Sequence, residues 1–551
     1  MSVIRLPRLI SNGVIFQRNK PIRVWGFPEN AVKNVEVSLN GNRVSAVINN
    51  DEYGEPRFDA VFPEMPAGGP YILEFFADSV KCETVDDVYI GDVIQLAGQS
   101  NIEFPMRRVL ESYPEELVNP DYPLIRTFKI IENRVFDGPI KDNTTGEWVK
   151  VTQESLPEYS AIGYFLAKKL LKDEGIAVGL INTTMGGAPI ETFMSEEMIS
   201  DYEEEYKELI RCRDKSYIEE IIKRDEKSSS DWYSKLDGGD EGLKASWYDP
   251  ETDVSDWKTM RVPSYIEETE GLEGFCGSIW LKNTFDATAE MVEKQQYLWL
   301  GTMIDADVTY VNGNEVGRTE YCYPPRRYII PAGLLKEGKN DITIRLKIEK
   351  GSGRTAYGKL FAVFSGDRLK IRRTTDGFFE GVEGAENMVK LDGIWKYRVG
   401  MVMPKREDVT FLSWKPTALF NGMVYPCTNF AVKAVLWYQG ESNAERSEVY
   451  LDRFTRLVNG YRKLWKDDKL PVIYIQLPEY MDKCYEPDAD HKDGKILEID
   501  WITMQEVQKQ CLTIPGTYMI SAMGTGEYND LHPQRKKILG EKVAEVIKTL
   551  Q

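Results

Sequence analysis

The run Val93-Ile-Gln-Leu-Ala97, closed by Gly98 and followed at once by Gln99-Ser100-Asn101, constrains the fold more than any other stretch. A short apolar run cut by glycine reads as a buried central strand that ends in a tight turn. A hydroxyl at the carboxyl end of such a strand, beside a helix start, points into the crevice where open α/β sheets bind ligands. Ser100 is therefore a candidate nucleophile. Taken alone, it or Asn101 reads more readily as an N-cap, so the rest of the chain has to decide.

Three more loops of similar texture follow: Met185 to Ala188, Gln439 to Ser442 and Asn529 to His532. Between them the chain alternates strands with helices. A strand is expected at 125–130, and a helix from Ser160 to Asp173 with Ser160 as its cap and Gly175 as its stop. A buried strand follows at 177–181, another at 431–438, then an amphipathic helix carrying Phe454, Leu457, Val458 and Tyr461. Strands at 472–477 and 518–520, a helix around 502–511 and a last helix carrying Ile538, Leu539, Val543 and Val546 complete the pattern. In a parallel sheet all four loops would gather at one edge.

Two stretches break this texture. Residues 1 to about 88 alternate in the period of half-buried strands with hairpin turns such as Asn40-Gly41, as in a small sandwich. Trp25 within them reads as core rather than as a sugar platform. Residues 244 to about 350 are all-β again, which is best explained by a β-sandwich inserted into the α/β host at an exposed loop. The charged stretch from 196 to about 230 reads as helical with a solvated face.

Composition narrows the chemistry. At 551 residues the chain needs about three domains, and a net charge of -19 repels nucleic acid and anionic membrane. Seven scattered cysteines form no C-x-x-C pair, which suggests neither a zinc cage nor a disulfide framework. No stretch is long enough to span a bilayer and the start lacks a signal peptide's apolar segment, so a cytoplasmic location is expected unless a leader was removed. The two histidines, His491 and His532, are the most useful count. An imidazole base must be one of them, and a multi-histidine metal site is disfavoured. His491 lies in the charged run D-A-D-H-K-D-G-K, a solvated loop, whereas His532 follows a strand and a glycine turn.

Acyl transfer by a serine needs a nucleophile, a base, a group orienting the base, and donors for the oxyanion. Ser100 and His532 fit the first two. The backbone amides of Ser100 and Gly187 with the Gln439 side chain fit an oxyanion hole, and Asp530 or Glu441 could orient the base. Ile102 stands where the G-x-S-x-G elbow needs its second glycine, so that class is disfavoured.

The blocks G-Q-S-N-I-E-F-P, G-L-I-N-T-T-M-G-G-A-P-I-E, N-G-M-V-Y-P, W-Y-Q-G-E-S-N and D-L-H-P together resemble the sialate O-acetylesterase family, a branch of the SGNH hydrolases. The resemblance implies an α/β/α flavodoxin-like hydrolase domain at 89–243 and 373–551. It also implies an Ig-like sandwich at 1–88 and an inserted galactose-binding-like jelly roll at 244–372. Ser100 becomes the nucleophile and His532 the base, with Gly187 and Gln439 in the oxyanion hole. No cofactor or metal is implied, and the substrate is an O-acetylated sugar, in the family a 9-O-acetylated sialic acid. Acetylated xylan or xyloglucan is the alternative, and a glycan-binding protein with a dead site the reading from another class. Two departures stand out. Met185 and Ala188 replace the family's tryptophan and threonine in S-S-W-G-G-T, and Asn529 stands where the superfamily's acid lies three residues before the histidine. Asp530, Glu441 and a main-chain carbonyl all remain open as the orienting group.

Overall fold

The computed structural model describes residues 3–29, 31–51, 53–374, 379–480, 499–527 and 530–550. His491 and Asn529 lie outside them. The chain divides into two compact units, one of residues 1–215 with 411–480 and 497–551, the other essentially of residues 216–410.

The first unit is built on β1 (Val80–Gly98), α1 (Ser100–Glu103), β2 (Tyr122–Lys129), β3 (Trp148–Val151), α2 (Ala161–Glu174), β4 (Val178–Asn182), β5 (Ala434–Tyr438), α3 (Tyr450–Trp465), β6 (Val472–Gln476), α4 (Ile499–Gln510), β7 (Thr517–Ser521) and α5 (Lys536–Thr549). The strands lie in the order β3-β2-β4-β1-β5-β6-β7. Strands β2, β4, β1, β5, β6 and β7 are parallel, and β3 runs antiparallel at the edge. From β1 the chain fills one side first, passing to β2, the edge strand β3 and back to β4, and then crosses to β5 on the other, so the sheet reverses its order around β1. A crevice opens at such a reversal.

The burial of β1 explains why this strand is central. Residues 80–90 mix exposed and buried positions and pair with strands Gly68–Ala77 and Ile15–Gln17, whereas residues 90–98 are buried almost without a break. The first half suits a sheet wet on one face and the second a parallel sheet covered on both. One strand thus joins the leading β layer to the central sheet. Trp25 is 1% exposed beside Phe430, as a core residue should be.

The helices form as their sequence signals require. Ser160 Oγ accepts the Gly163 N–H at 3.1 Å, and Gly175 closes α2 in the left-handed region at φ 68°. In α3, Phe454, Leu457, Val458 and Tyr461 are all buried against the sheet. The apolar face of α5 differs from expectation, because Leu539, Val543 and Ile547 turn inward while Ile538 is 40% exposed. Among the described residues no helix is long and apolar enough to cross a membrane.

The second unit holds nearly all of the helix Lys215–Gly239, a small sheet of three two-residue strands, and two larger antiparallel sheets around one core that includes Ile279, Leu281, Leu298, Ile344, Val363 and Trp395. The larger sheet runs Lys258–Val262, Gly393–Val402, Gly277–Ala287, Gly338–Ile348, Ala306–Val311, Asn314–Thr319, and the smaller centres on Gln296–Leu300 and Phe361–Arg373. Strands Phe379–Lys390 and Gly393–Val402 complete these sheets, so the antiparallel unit continues past residue 372.

Candidate active site

Strand β1 ends in a turn that only glycine fits. Gly98 has φ 120°, and a Cβ there would stand 2.2 Å from the Tyr438 carbonyl oxygen of β5. The turn releases Ser100 as the first residue of α1, half-buried, where its N–H has no intrahelical acceptor. Across 432 residues of chain, His532 Nε2 stands 2.8 Å from Ser100 Oγ. The histidine is 7% exposed and its ring stacks on Phe104, with centroids 5.6 Å apart and planes at 11°.

Side chains hold each of these two loops and tie one to the other. Asp530 Oδ1 accepts the backbone N–H of His532 at 2.9 Å, which holds the histidine's own main chain. Asn101 Nδ2 donates to Glu441 Oε1 at 2.6 Å and to the Leu531 carbonyl at 3.0 Å, while its Oδ1 accepts from Lys536 Nζ. Glu441 therefore spends its carboxylate on Asn101 and not on the imidazole, and among the described residues its Oε2 is buried without a hydrogen-bond partner. Burial raises the pKa of Glu441 and lowers that of Lys536 to about 7.

The loop after β4 faces the serine. A Cβ on Gly186 would lie 3.8 Å from Ser100 Cβ. Gly187 adopts φ 70°, and among the described residues its N–H meets no acceptor, because the loop closes through Met185 N to Gly98 O and Ala188 N to Met185 O. Glu103, one turn beyond Ser100, accepts the Gly186 N–H, and burial raises its pKa. Trp414 donates its indole N–H to the Gly186 carbonyl at 3.0 Å and stacks on Phe411 at 4.0 Å. A tryptophan thus stands at this loop from another segment, where position 185 itself is methionine.

Gln439 is placed differently from the sequence expectation. It is fully buried, and its Nε2 donates to Asn443 Oδ1 at 2.6 Å and to the Ala188 carbonyl at 3.4 Å. Asn443 in turn accepts the Ile190 N–H and donates to Glu191, which faces Arg453 Nη1 at 2.7 Å. This chain of contacts holds the Gly186-Gly187 loop in place. Trp414 and Lys536 gave no local signal in the sequence, whereas Asn443 and Glu191 close two of the blocks quoted above, with no role read for either there.

Burial pushes the His532 imidazole down to about 4; Asp530 opposes this, and the charges of Lys536 and Arg108 add to it. A base must be unprotonated to act, and a pKa below the ordinary 6.5 keeps His532 neutral into mildly acidic solution. With His532 as the base, the acid limb of kcat/KM for a small acetyl ester is expected near pH 4, well below the ordinary imidazole value. A limb centred near 6.5 in a pH–rate profile would contradict this environment.

Residues 369–549 match the family model described as "Carbohydrate esterase, sialic acid-specific acetylesterase". The resemblance to the sialate O-acetylesterase family holds. The sialate O-acetylesterase of Mus musculus is 26% identical over 140 residues, covering 23% of this chain and 25% of the mouse protein. That of Rattus norvegicus is 25% identical over the same length and shares. The aligned stretch thus spans about a quarter of these family members. A carbohydrate acetylesterase from Xanthomonas citri superposes with a TM-score of 0.55 at 19% identity, over 100% of this chain and 75% of that one, a likeness of fold.

Proposed function

We propose that this chain is a carbohydrate O-acetylesterase working through an acetyl-Ser100 intermediate. The observation that carries the reading is the 2.8 Å approach of Ser100 Oγ and His532 Nε2 on the carboxyl edge of the sheet. His532 takes the hydroxyl proton as Oγ attacks the acetyl carbonyl. The Ser100 and Gly187 N–H groups hold the oxyanion, and the tetrahedral adduct collapses to acetyl-Ser100 while His532 returns the proton to the departing sugar hydroxyl. Water, deprotonated by the same imidazole, then releases acetate and restores Ser100. Asp530 is the residue best situated to favour the transient imidazolium, since its charge already acts on the ring.

The substrate we assign is a 9-O-acetylated sialic acid, in line with the names of the matching family model and of the mouse and rat proteins. The domain plan that goes with it is a front β-sandwich, an SGNH-type hydrolase domain and an inserted jelly roll. Acetate release from O-acetylated sialylated mucin, set beside acetylated xylan, tests the assignment. Acetate from mucin and none from the Ser100→Ala variant is the expected result. Release from xylan alone would move the substrate to plant polysaccharide, and full release by the variant would end the mechanism.

A further inference from the structure

Lys536 breaks three local rules. It is 0% exposed, although lysine reaches water more readily than almost any other residue. It opens α5, where the helix macrodipole disfavours a cation. Its hydrogen bond goes to the neutral side-chain carbonyl of Asn101, with the Phe104 and Tyr438 rings 5.1 and 5.6 Å away. Such conflicts between local preference and observed position concentrate where function demands them.

Asn101 shows what the lysine does. Its amide has an ammonium on the oxygen side and the Glu441 carboxylate on the nitrogen side. Turning the amide over would set NH2 against NH3⁺ and C=O against a carboxylate, so a single orientation is allowed, and the two bonds polarise the amide in the same sense. In that orientation the second Nδ2 hydrogen reaches the carbonyl of Leu531, the residue before His532. The residue after the nucleophile is thereby strapped to the residue before the base.

We infer that Lys536 is a positioning residue for the esterase reaction: through the Asn101 amide it fixes the His532 loop against the Ser100 helix. The inference rests on the Ser100–His532 reading. The charge of Lys536 also acts on His532 together with Arg108 and against Asp530, while Glu441, Glu527 and Asp530 act on Lys536 itself.

The test uses the full chain with Lys536→Met, Lys536→Arg and Ser100→Ala, 4-nitrophenyl acetate as substrate, and NMR of ¹³C-labelled histidine. With two histidines in the chain, His532 is assigned by the signal lost in His532→Ala. Lys536→Met is expected to lower kcat by about 10- to 100-fold with KM nearly unchanged, the loss that follows a small misplacement of reacting groups. It should also move the His532 titration upward, because a cation has gone. Lys536→Arg, which keeps the charge, should retain the titration midpoint and recover part of kcat. Wild-type kcat and an unmoved midpoint in Lys536→Met, with Ser100→Ala inactive, would overturn the inference and leave the esterase reading intact. Activity in Ser100→Ala would overturn both. If circular dichroism shows Lys536→Met unfolded, the near-isosteric Glu441→Gln takes its place. A similar loss of kcat supports the strap, and wild-type kcat overturns it.

Discussion

Replacing Ser100 by alanine is expected to lower kcat/KM for a small acetyl ester by about 10⁴- to 10⁶-fold while the chain keeps its fold. The effect is large because the proposed mechanism makes the serine the covalent centre. The fold should survive because Ser100 is only half-buried, and the turn before it is made by Gly98 rather than by the hydroxyl. Steady-state hydrolysis of 4-nitrophenyl acetate with far-ultraviolet circular dichroism separates the two effects. A loss below about tenfold would mean that another group attacks the ester.

The second large effect is expected at Gly187. A Cβ there would lie 2.0 Å from Trp414 Cζ2, and the residue sits at φ 70°. Gly187→Ala must therefore displace the indole or the loop, and holding alanine in a left-handed conformation costs a further ~1–3 kcal/mol. Either response moves the Gly187 N–H, whose loss as an oxyanion donor costs about 10²- to 10³-fold in kcat. Trp414→Ala in the same background gives the ring room, and should recover part of the rate if the clash is the cause. A Gly187→Ala enzyme with wild-type kcat would remove this amide from the oxyanion hole.

The parts of this arrangement that were legible in the sequence are those set by near neighbours. The apolar run before Gly98, the Ser160 cap and the Gly175 stop are local signals, and the strands and helices formed where they predicted. The expectation that His532 rather than His491 is the base rested on local context too, His532 coming after a strand and a glycine turn and His491 in a charged run. Contacts between distant segments were not legible. Lys536 meets Asn101 from 435 positions away, and Trp414 reaches Gly186 from 228 positions away, so nothing near either residue marks it.

Gln439 and Glu441 show a subtler limit. Both stand at the end of β5, as expected, but a position at a strand end does not say where a side chain points. Gln439 finds its partner four residues on, in Asn443, and Glu441 finds Asn101. Each is part of the frame that holds the loops, and the hydrogen bonds of both go to groups other than the imidazole ring. In the same way, period-2 patterning identified the second unit as β without showing that its sheets draw strands from beyond residue 372.

In the proposed mechanism one hydroxyl, activated by one imidazole, becomes acylated. Treating the full chain with a fluorophosphonate and mapping the adduct by peptide mass spectrometry tests it most directly. A single adduct on Ser100 is expected, absent from Ser100→Ala and formed far more slowly in His532→Ala. Labelling at another residue, or at an undiminished rate without His532, would contradict it.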